Sequence, residues 1–568
     1  GGATAAAAIE ALGRIGGDDA ADILLAQIGT ENDDVAQEAL RSFNGNINDK
    51  VSAALAAAKT PEQQKALLAL ASNRHVKGVA DQVLALAEDN DAEVAAAALK
   101  ALPNVVGTKD AARVAERLDK AGDAQASAYL AALQASIATQ DAQTQYQTIS
   151  TEIQKATNKA RFYPALAATG TDESVAYLQQ TWEKEKSAKA LEALKKSNNY
   201  KAAAPLLKAA NAGDEDALAK YVGLVNRYET NMDNRSARLI SAISQAKSNN
   251  GKANVINALS NTPTRNAFLT VGKYLDDKGV SYQAAVAEKN ILKQTQEDIE
   301  YDIVKENMTK AINIYQAHGT ADDGYAVDEI KKMLAEMQPS PIFTLSDEEK
   351  KQGFEILFDG TNLDKWTGNK VGYVPINGCI YVTANYGNES NLYTVKEYQD
   401  FVFRFEFCFV RPGVNNGVGI RTPMGVDAAY YGMCESQILD HDDPIYAGLH
   451  EYQVHGSVYG VIPAKRIKHK PLGEWSTEEI RVEGDHITVT VNGEVIVDGN
   501  IREACQGHNV APDGSDKNPY TVDHRNHPGM FNKTGHIGFL GHGAGVKFRN
   551  VRVLDLTNQK KGKKKSRK

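Results

Sequence analysis

Apolar residues recur along this chain at two different spacings, and the spacing changes once. From Gly1 to about Gln338 they return every three or four positions, the period of an amphipathic helix. Stretches such as "AAIEALGRIG", "DVAQEALRSF", "EVAAAALKAL" and "VINALSNTP" look alike and are separated by short turns, "GGDD" and "NDAEV" among them. In each, small alanines share a face with leucine or isoleucine, which lets neighbouring helices approach closely. The pattern predicts an N-terminal α-solenoid of HEAT-like repeats over residues 1–338, each helix pair burying its apolar face against the next. An irregular helical bundle is the alternative. No catalytic constellation stands out in this half, so its expected role is a scaffold with a protein or glycan partner.

Pro339 and Pro341 in "EMQPSPIFTLSDEEKKQGF" lack an amide donor and end the last helix. Ser346 and Glu349 then have capping-box spacing, so residues 339–352 read as a linker with one short helix. Beyond it the period drops to two. "DFVFRFEFCFV" alternates from Asp400 to Val410, "EEIRVEGDHITVTVNGEVIVDG" reads as three strands with turns at "EGD" and "NG", and "GHIGFLGHGAGVKFRNVRVLDL" supplies at least two more. Asn492–Gly493 suits a type I′ hairpin, which needs positive φ at both central residues. Many short strands without a long helix predict an antiparallel β-sandwich over residues 353–557, making the chain multidomain α + β.

The 568-residue length agrees, being too great for one core. The net charge is −8, from 64 basic and 72 acidic residues. Seven of the basic ones (Lys560, Lys561, Lys563, Lys564, Lys565, Arg567 and Lys568) fall in residues 558–568, which read as a disordered basic tail. The remainder is acidic, which argues against nucleic acid as the main partner. No apolar run reaches the roughly 20 residues of a membrane helix, so no transmembrane segment is expected. No signal peptide stands at the start, and the chain opens inside a helical pattern; it reads as a trimmed export product or an excised piece. Cys379, Cys408, Cys434 and Cys505 lack zinc-site spacing, and their pairing is left open.

Chemistry concentrates in "GMCESQILDHDDP". On a strand, Glu435 and Gln437 point to one face while Ser436 and Ile438 point to the other. Adjacent polar side chains on one face suit either a buried hydrogen-bonded network or a sugar-binding sheet. Ten of the twelve histidines lie between His441 and His542. "HEYQVH" misses the HExxH zinc motif, because His450 and His455 are five apart where helical ligation needs four. His469, His486, His508 and His536 read as surface or strand-end residues.

Six blocks in order, "GFEILFDGTNLDKW", "ESQILDHDDP", "YQVHGSVYGVIPAKR", "GEWSTEEIRVEG", "VNGEVIVDG" and "GHIGFLGHGAGVKFRNVRV", resemble the 3-keto-disaccharide hydrolase family over about Thr344 to Leu556. The resemblance implies a concanavalin A-like (lectin and glucanase type) jelly roll that cleaves 3-keto-glycosides. A ketone at C3 acidifies C2–H; a base removes that proton, the C1–O bond eliminates, and water adds to the enone. Glu435, Gln437 and Asp440 match the family's E-x-Q-I-x-D block, and His455 lies in another block. Glu435, Asp440 and His455 are therefore the expected catalytic residues. Gln437, Arg421 and Lys465 are expected to polarise the ketone, with Tyr459, Trp475, His527 and His542 also around the sugar. No cofactor is certain; a divalent metal ion is an alternative electrophile. A two-carboxylate glycosidase using Glu435 and Asp440, a lectin-like module and a pure interaction scaffold are the competing readings. The expected location is outside the cytoplasm, periplasmic or at the surface of a bacterium.

Overall fold

The computed structural model describes residues 2–295, 297–337, 339–383 and 390–557. The basic tail expected at 558–568 lies outside them. Helices run from Gly2–Ile15 to Ala321–Glu336, and the strands begin at Glu355. The chain divides into two compact units, Gly1–Tyr228 and Glu229–Lys568.

In the first unit each helix packs on its sequence neighbour or next neighbour, as stacked hairpins do: Gly2–Ile15 on Asp33–Arg41, that helix on Pro61–Asn73, and Pro61–Asn73 on Ala92–Val105. Alanine and leucine fill the contacts, with Leu40, Leu68, Val94, Ala98 and Leu102 fully buried. An arginine latch recurs. The Arg74 guanidinium donates to the carbonyls of Leu40, Arg41, Phe43 and Gly45 at 2.7–3.2 Å. Arg161 does the same for Leu118 and Asp119 at 3.1 Å, and for Ala121. Both satisfy carbonyls that a helix C-terminus leaves unpaired.

Among the described residues, the second unit carries the helices Met232–Ile243 to Ala321–Glu336, the short helix Asp347–Gln352 and thirteen strands. The short helix has Ser346 as its cap and a closed capping box with Glu349. The strands are β1 Glu355–Phe358, β2 Trp366–Gly368, β3 Tyr373–Ile376, β4 Cys379–Val382, β5 Leu392–Thr394, β6 Phe401–Phe409, β7 Asn415–Thr422, β8 Cys434–Leu439, β9 Ser476–Glu483, β10 His486–Val491, β11 Glu494–Asn500, β12 His536–Phe539 and β13 Val546–Asp555. They form an eight-stranded sheet, β11-β10-β9-β6-β13-β4-β3 with β1 also on β13, and a five-stranded sheet, β2-β5-β12-β7-β8. The pairings are antiparallel, and the two sheets close as a sandwich on one apolar core. Along β6, Phe401, Phe403, Phe405, Phe407 and Phe409 enter that core, while Arg404 and Glu406 face outward. Asn492 and Gly493 both have positive φ, 50° and 83°, at the β10–β11 hairpin. All four cysteines are free and buried.

Helix gives way to strand between residues 336 and 355, yet helices of 232–336 pack with the sandwich in one unit. Arg411 pairs with Asp233 and Glu297, and Lys547 with Asp298 at 3.0 Å. The Asn377 side chain donates to the Ile299 carbonyl at 2.7 Å and accepts from the Tyr301 amide at 3.2 Å. Glu349 anchors the linker helix to the eight-stranded sheet through Arg552 and Arg404. Burial opposes its ionisation, but the Arg552 hydrogen bond, the Ser346 amide and Arg404 outweigh that and hold its pKa at about 2.

Candidate functional site

The five-stranded sheet has one face in the core and one turned away from it. Register places Val418 opposite Ser436 and Ile420 opposite Cys434, with Val418, Ile420 and Cys434 in the core, so Gly417, Gly419, Glu435 and Gln437 lie on the outer face. The neighbouring strands continue this row: Gly419 pairs with Gly538, and Gly538 with Tyr393. Three glycines thus clear a floor onto which flanking side chains lie down. A Cβ at Gly417 would meet Glu435 Oε1 at 2.0 Å, and one at Gly538 would meet the Tyr393 ring at 2.8 Å. The Tyr393 hydroxyl in turn accepts from Asn391 Nδ2 at 2.9 Å and the Gly425 amide at 3.2 Å.

A cavity of about 420 Å³ opens beside this row at Glu435, lined by Ser390, Asn391, Asp427, Glu435, Gly541 and His542 among others. That size falls in the range of small-molecule sites. Glu435 is 6% exposed, and among the described residues no group hydrogen-bonds its carboxylate. Burial, with the Asp427 charge acting in the same sense, raises its pKa to about 8. Gln437 is also buried, and its Oε1 has no hydrogen-bond partner. Asp427 caps the short helix Ala428–Tyr431 by accepting from the Ala429 amide at 3.1 Å. Desolvation lowers the His542 pKa, opposed by Asp427; the residue is solvent-accessible, so water screens part of that penalty.

Tyr459 joins this group from the loop beyond β8. Its amide donates to the Glu435 carbonyl at 3.0 Å, and the Ser436–Val458 bridge places it on the Glu435 side of the sheet. The other expected site residues lie elsewhere. Asp440 is five residues along the chain from Glu435, which at about 3.3 Å per strand residue puts roughly 16 Å between them. Its carboxylate accepts from the Gly413 amide at 2.9 Å. His455 is fully buried between the sheets, because the turn at Gly456 (φ 80°) sends the chain inward. Its Nδ1 accepts from the Leu439 amide at 3.2 Å, and its Nε2 faces Glu478 at 3.1 Å. Burial, then the nearby His441, lowers the His455 pKa to about 3, and burial raises that of Glu478 to about 8. His450 is solvent-exposed, so the HExxH-like pair never meets.

Arg421 is 2% exposed and bonds the carbonyls of Gln399, Gly484 and Asn532, with Asp400 at 3.1 Å. Its left-handed backbone (φ 45°) breaks the alternation that would have aimed it at the sugar. Lys465 is exposed and pairs with Glu494 on the edge strand β11 of the other sheet. Trp475 lies on the outer face of that sheet under Arg549, 3.9 Å away. His527 is buried, with Nδ1 against the Ala429 carbonyl at 2.9 Å and Nε2 against Asp523 at 3.1 Å, so it braces the short helix from beneath. Asp427, Ser390 and Asn391 were absent from the expected set. The alternate glycines of "NNGVGI" and "GHIGFLGHG" were the legible signal, since a glycine within a strand marks close approach. Among the described residues no group of three His, Cys, Asp or Glu side chains is arranged to hold a metal ion. The donor set does not fit one, and no step below is routed through a cation.

Residues 353–554, the sandwich, match the family described as the 3-keto-alpha-glucoside-1,2-lyase-like domain. In particular, a 3-keto-disaccharide hydrolase of Bacteroides thetaiotaomicron is 28% identical over 229 residues, 36% of this chain and 79% of that protein. Two crystal structures from Parabacteroides distasonis, provisionally assigned as glycosyl hydrolases, are 22% and 26% identical. They cover 37% and 35% of this chain and 98% of each of theirs, with TM-scores of 0.31 and 0.30. No helix among the described residues is long and apolar enough to cross a membrane.

Proposed function

We propose that the sandwich is a carbohydrate-active enzyme domain that cleaves 3-keto-glycosides, with Glu435 as the base at C2. The observation that carries this reading is a buried carboxylate with no hydrogen-bond partner among the described residues and a pKa near neutrality, lining a sugar-sized cavity. Such a group exchanges a proton readily, as general acid–base catalysis requires. Glu435 takes the C2 proton, and the electron pair delocalises into the C3 carbonyl as an enolate. The Gln437 amide N–H stabilises the developing oxyanion. The enolate then re-forms the ketone and expels the C1 oxygen, giving a C1=C2 enone and a leaving alkoxide that takes a proton from His542 at the cavity mouth. Water adds at C1, giving up a proton to His542, and Glu435 returns the proton to C2. The family match over residues 353–554 and the name of the Bacteroides relative support the substrate class. The helical unit serves as a scaffold, with a protein or glycan partner, in a protein that works outside the cytoplasm.

The test is proton NMR of the full chain with a 3-keto-disaccharide in deuterated solvent. Cleavage with solvent deuterium entering C2 is expected. Binding without turnover or exchange would make the domain a carbohydrate-binding module instead.

A further inference from the structure

An aromatic corner stands next to Glu435 on the neighbouring chain segment and is used by no step of the chemistry above. Tyr459, hydrogen-bonded through its amide to Glu435, has its ring 6.0 Å from that of Tyr452 at 84°. His450 stacks on Tyr452 at 5.1 Å and 6°. The Tyr459 hydroxyl accepts from Gln453 Nε2 at 3.1 Å, which fixes its orientation. Both tyrosines are half-buried, so each keeps some solvent-accessible surface. Tyr459 lies one strand step from Glu435, about 4.8 Å across the sheet, comparable to the step from one pyranose ring to the next.

We propose that Tyr452 and Tyr459 form the subsite for the leaving-group sugar, a neutral pyranose, while the keto-sugar occupies the cavity over Glu435. The inference rests on the proposed activity for its direction, since that activity defines which ring leaves. A pyranose presents axial C–H bonds, and these pack on the electron-rich face of an aromatic ring. The restrained right-angled pair supplies a floor and a wall already ordered before binding, which limits the entropy lost on association. An aromatic pair that only filled space would have no reason to stay partly exposed next to a carboxylate that no described group hydrogen-bonds.

The experiment compares kcat/KM for a 3-keto-disaccharide and for methyl 3-keto-glucoside in wild type, Tyr452→Ala and Tyr452→Phe. Tyr452→Ala is expected to lower the disaccharide value roughly tenfold more than the methyl value, because only the disaccharide fills the corner. Tyr452→Phe keeps the ring and should restore the disaccharide value. Equal losses on both substrates, or none on either, would overturn the subsite. Saturation-transfer NMR with an unoxidised disaccharide provides an arm independent of turnover. Saturation from aromatic protons should reach the reducing-side ring in wild type and be lost in Tyr452→Ala. If no keto-substrate is cleaved, the proposed activity fails while this arm still decides the subsite; transfer unchanged in the variant would sink it.

Discussion

Glu435 shows what an unsatisfied carboxylate costs and what it makes available. Its proton is retained in the folded state up to about pH 8, whereas an unfolded glutamate releases it near 4.3. Between those values the native state binds more protons than the unfolded chain, so this group's contribution to stability falls as pH rises through that window. Glu435→Gln, which cannot ionise, should therefore melt progressively higher than wild type as pH rises from about 4.5 to about 8, in parallel thermal scans. The same variant should lose about 100- to 10,000-fold in kcat and should no longer exchange C2–H. Because the base form of Glu435 is the minor one at neutral pH, the wild-type rate of C2–H exchange, which needs no proton from His542, should climb about tenfold per pH unit and level off near pH 8. A flat profile would assign the base to another group. The buried His455–Glu478 pair makes an opposite case. Burial holds both groups neutral, so His455→Ala would leave the Glu478 carboxyl without a partner in the core and should cost roughly 1–3 kcal/mol, readable as a lower Tm. Replacing both residues with leucine should recover the part due to Glu478, while the Leu439 amide, which donates to His455 Nδ1, stays unpaired.

On the scale of single elements, strands β7 and β8 together set the pose of Glu435 at the cavity. Gly417→Ala would direct its Cβ at Glu435 Oε1, the free end of a flexible side chain. The carboxylate should swing aside at little expense to the fold, so kcat should fall at least tenfold with a Tm within a few degrees of wild type. A lost fold would mean that the strand itself cannot take the methyl group. These strands also show what a sequence discloses. The alternating phenylalanines of β6, the Asn492–Gly493 turn and the Ser346–Glu349 capping box were legible because each depends on neighbours within a few residues. The face carrying Glu435 and Gln437 was legible for the same reason. Arg421 and His455 were not: a left-handed residue at Arg421 and a glycine turn at Gly456 redirect side chains that strand alternation would place at the sugar. Asp440 lies in the same short motif as Glu435, but proximity in an extended chain is distance in space.

At the level of the whole molecule, the change of period near residue 338 marks where helices stop, and the packing divides at Tyr228. That difference could not be read locally, since Arg411 and Asp233 are 178 residues apart in sequence. Removing residues 1–338 would leave Arg411 and Lys547 without Asp233, Glu297 and Asp298, and half-buried charges without partners are destabilising. A fragment of residues 229–568 should unfold cooperatively and retain cleavage of a small soluble 3-keto-glycoside. A fragment starting at 339 should melt at least several degrees lower, by calorimetry. Equal melting of the two fragments would show that the helices from Met232 to Glu336 add nothing to the sandwich.

The glycine floor bears on how such a protein can change over generations. A surface shaped by missing side chains can be altered by a single substitution only through addition, so every step at Gly417, Gly419 or Gly538 makes the space smaller or pushes aside what lies in it. Descendants that come to accept larger or differently linked sugars must therefore vary the rim, where Ser390, Asp427, His542 and the tyrosine corner stand, while the floor is inherited unchanged.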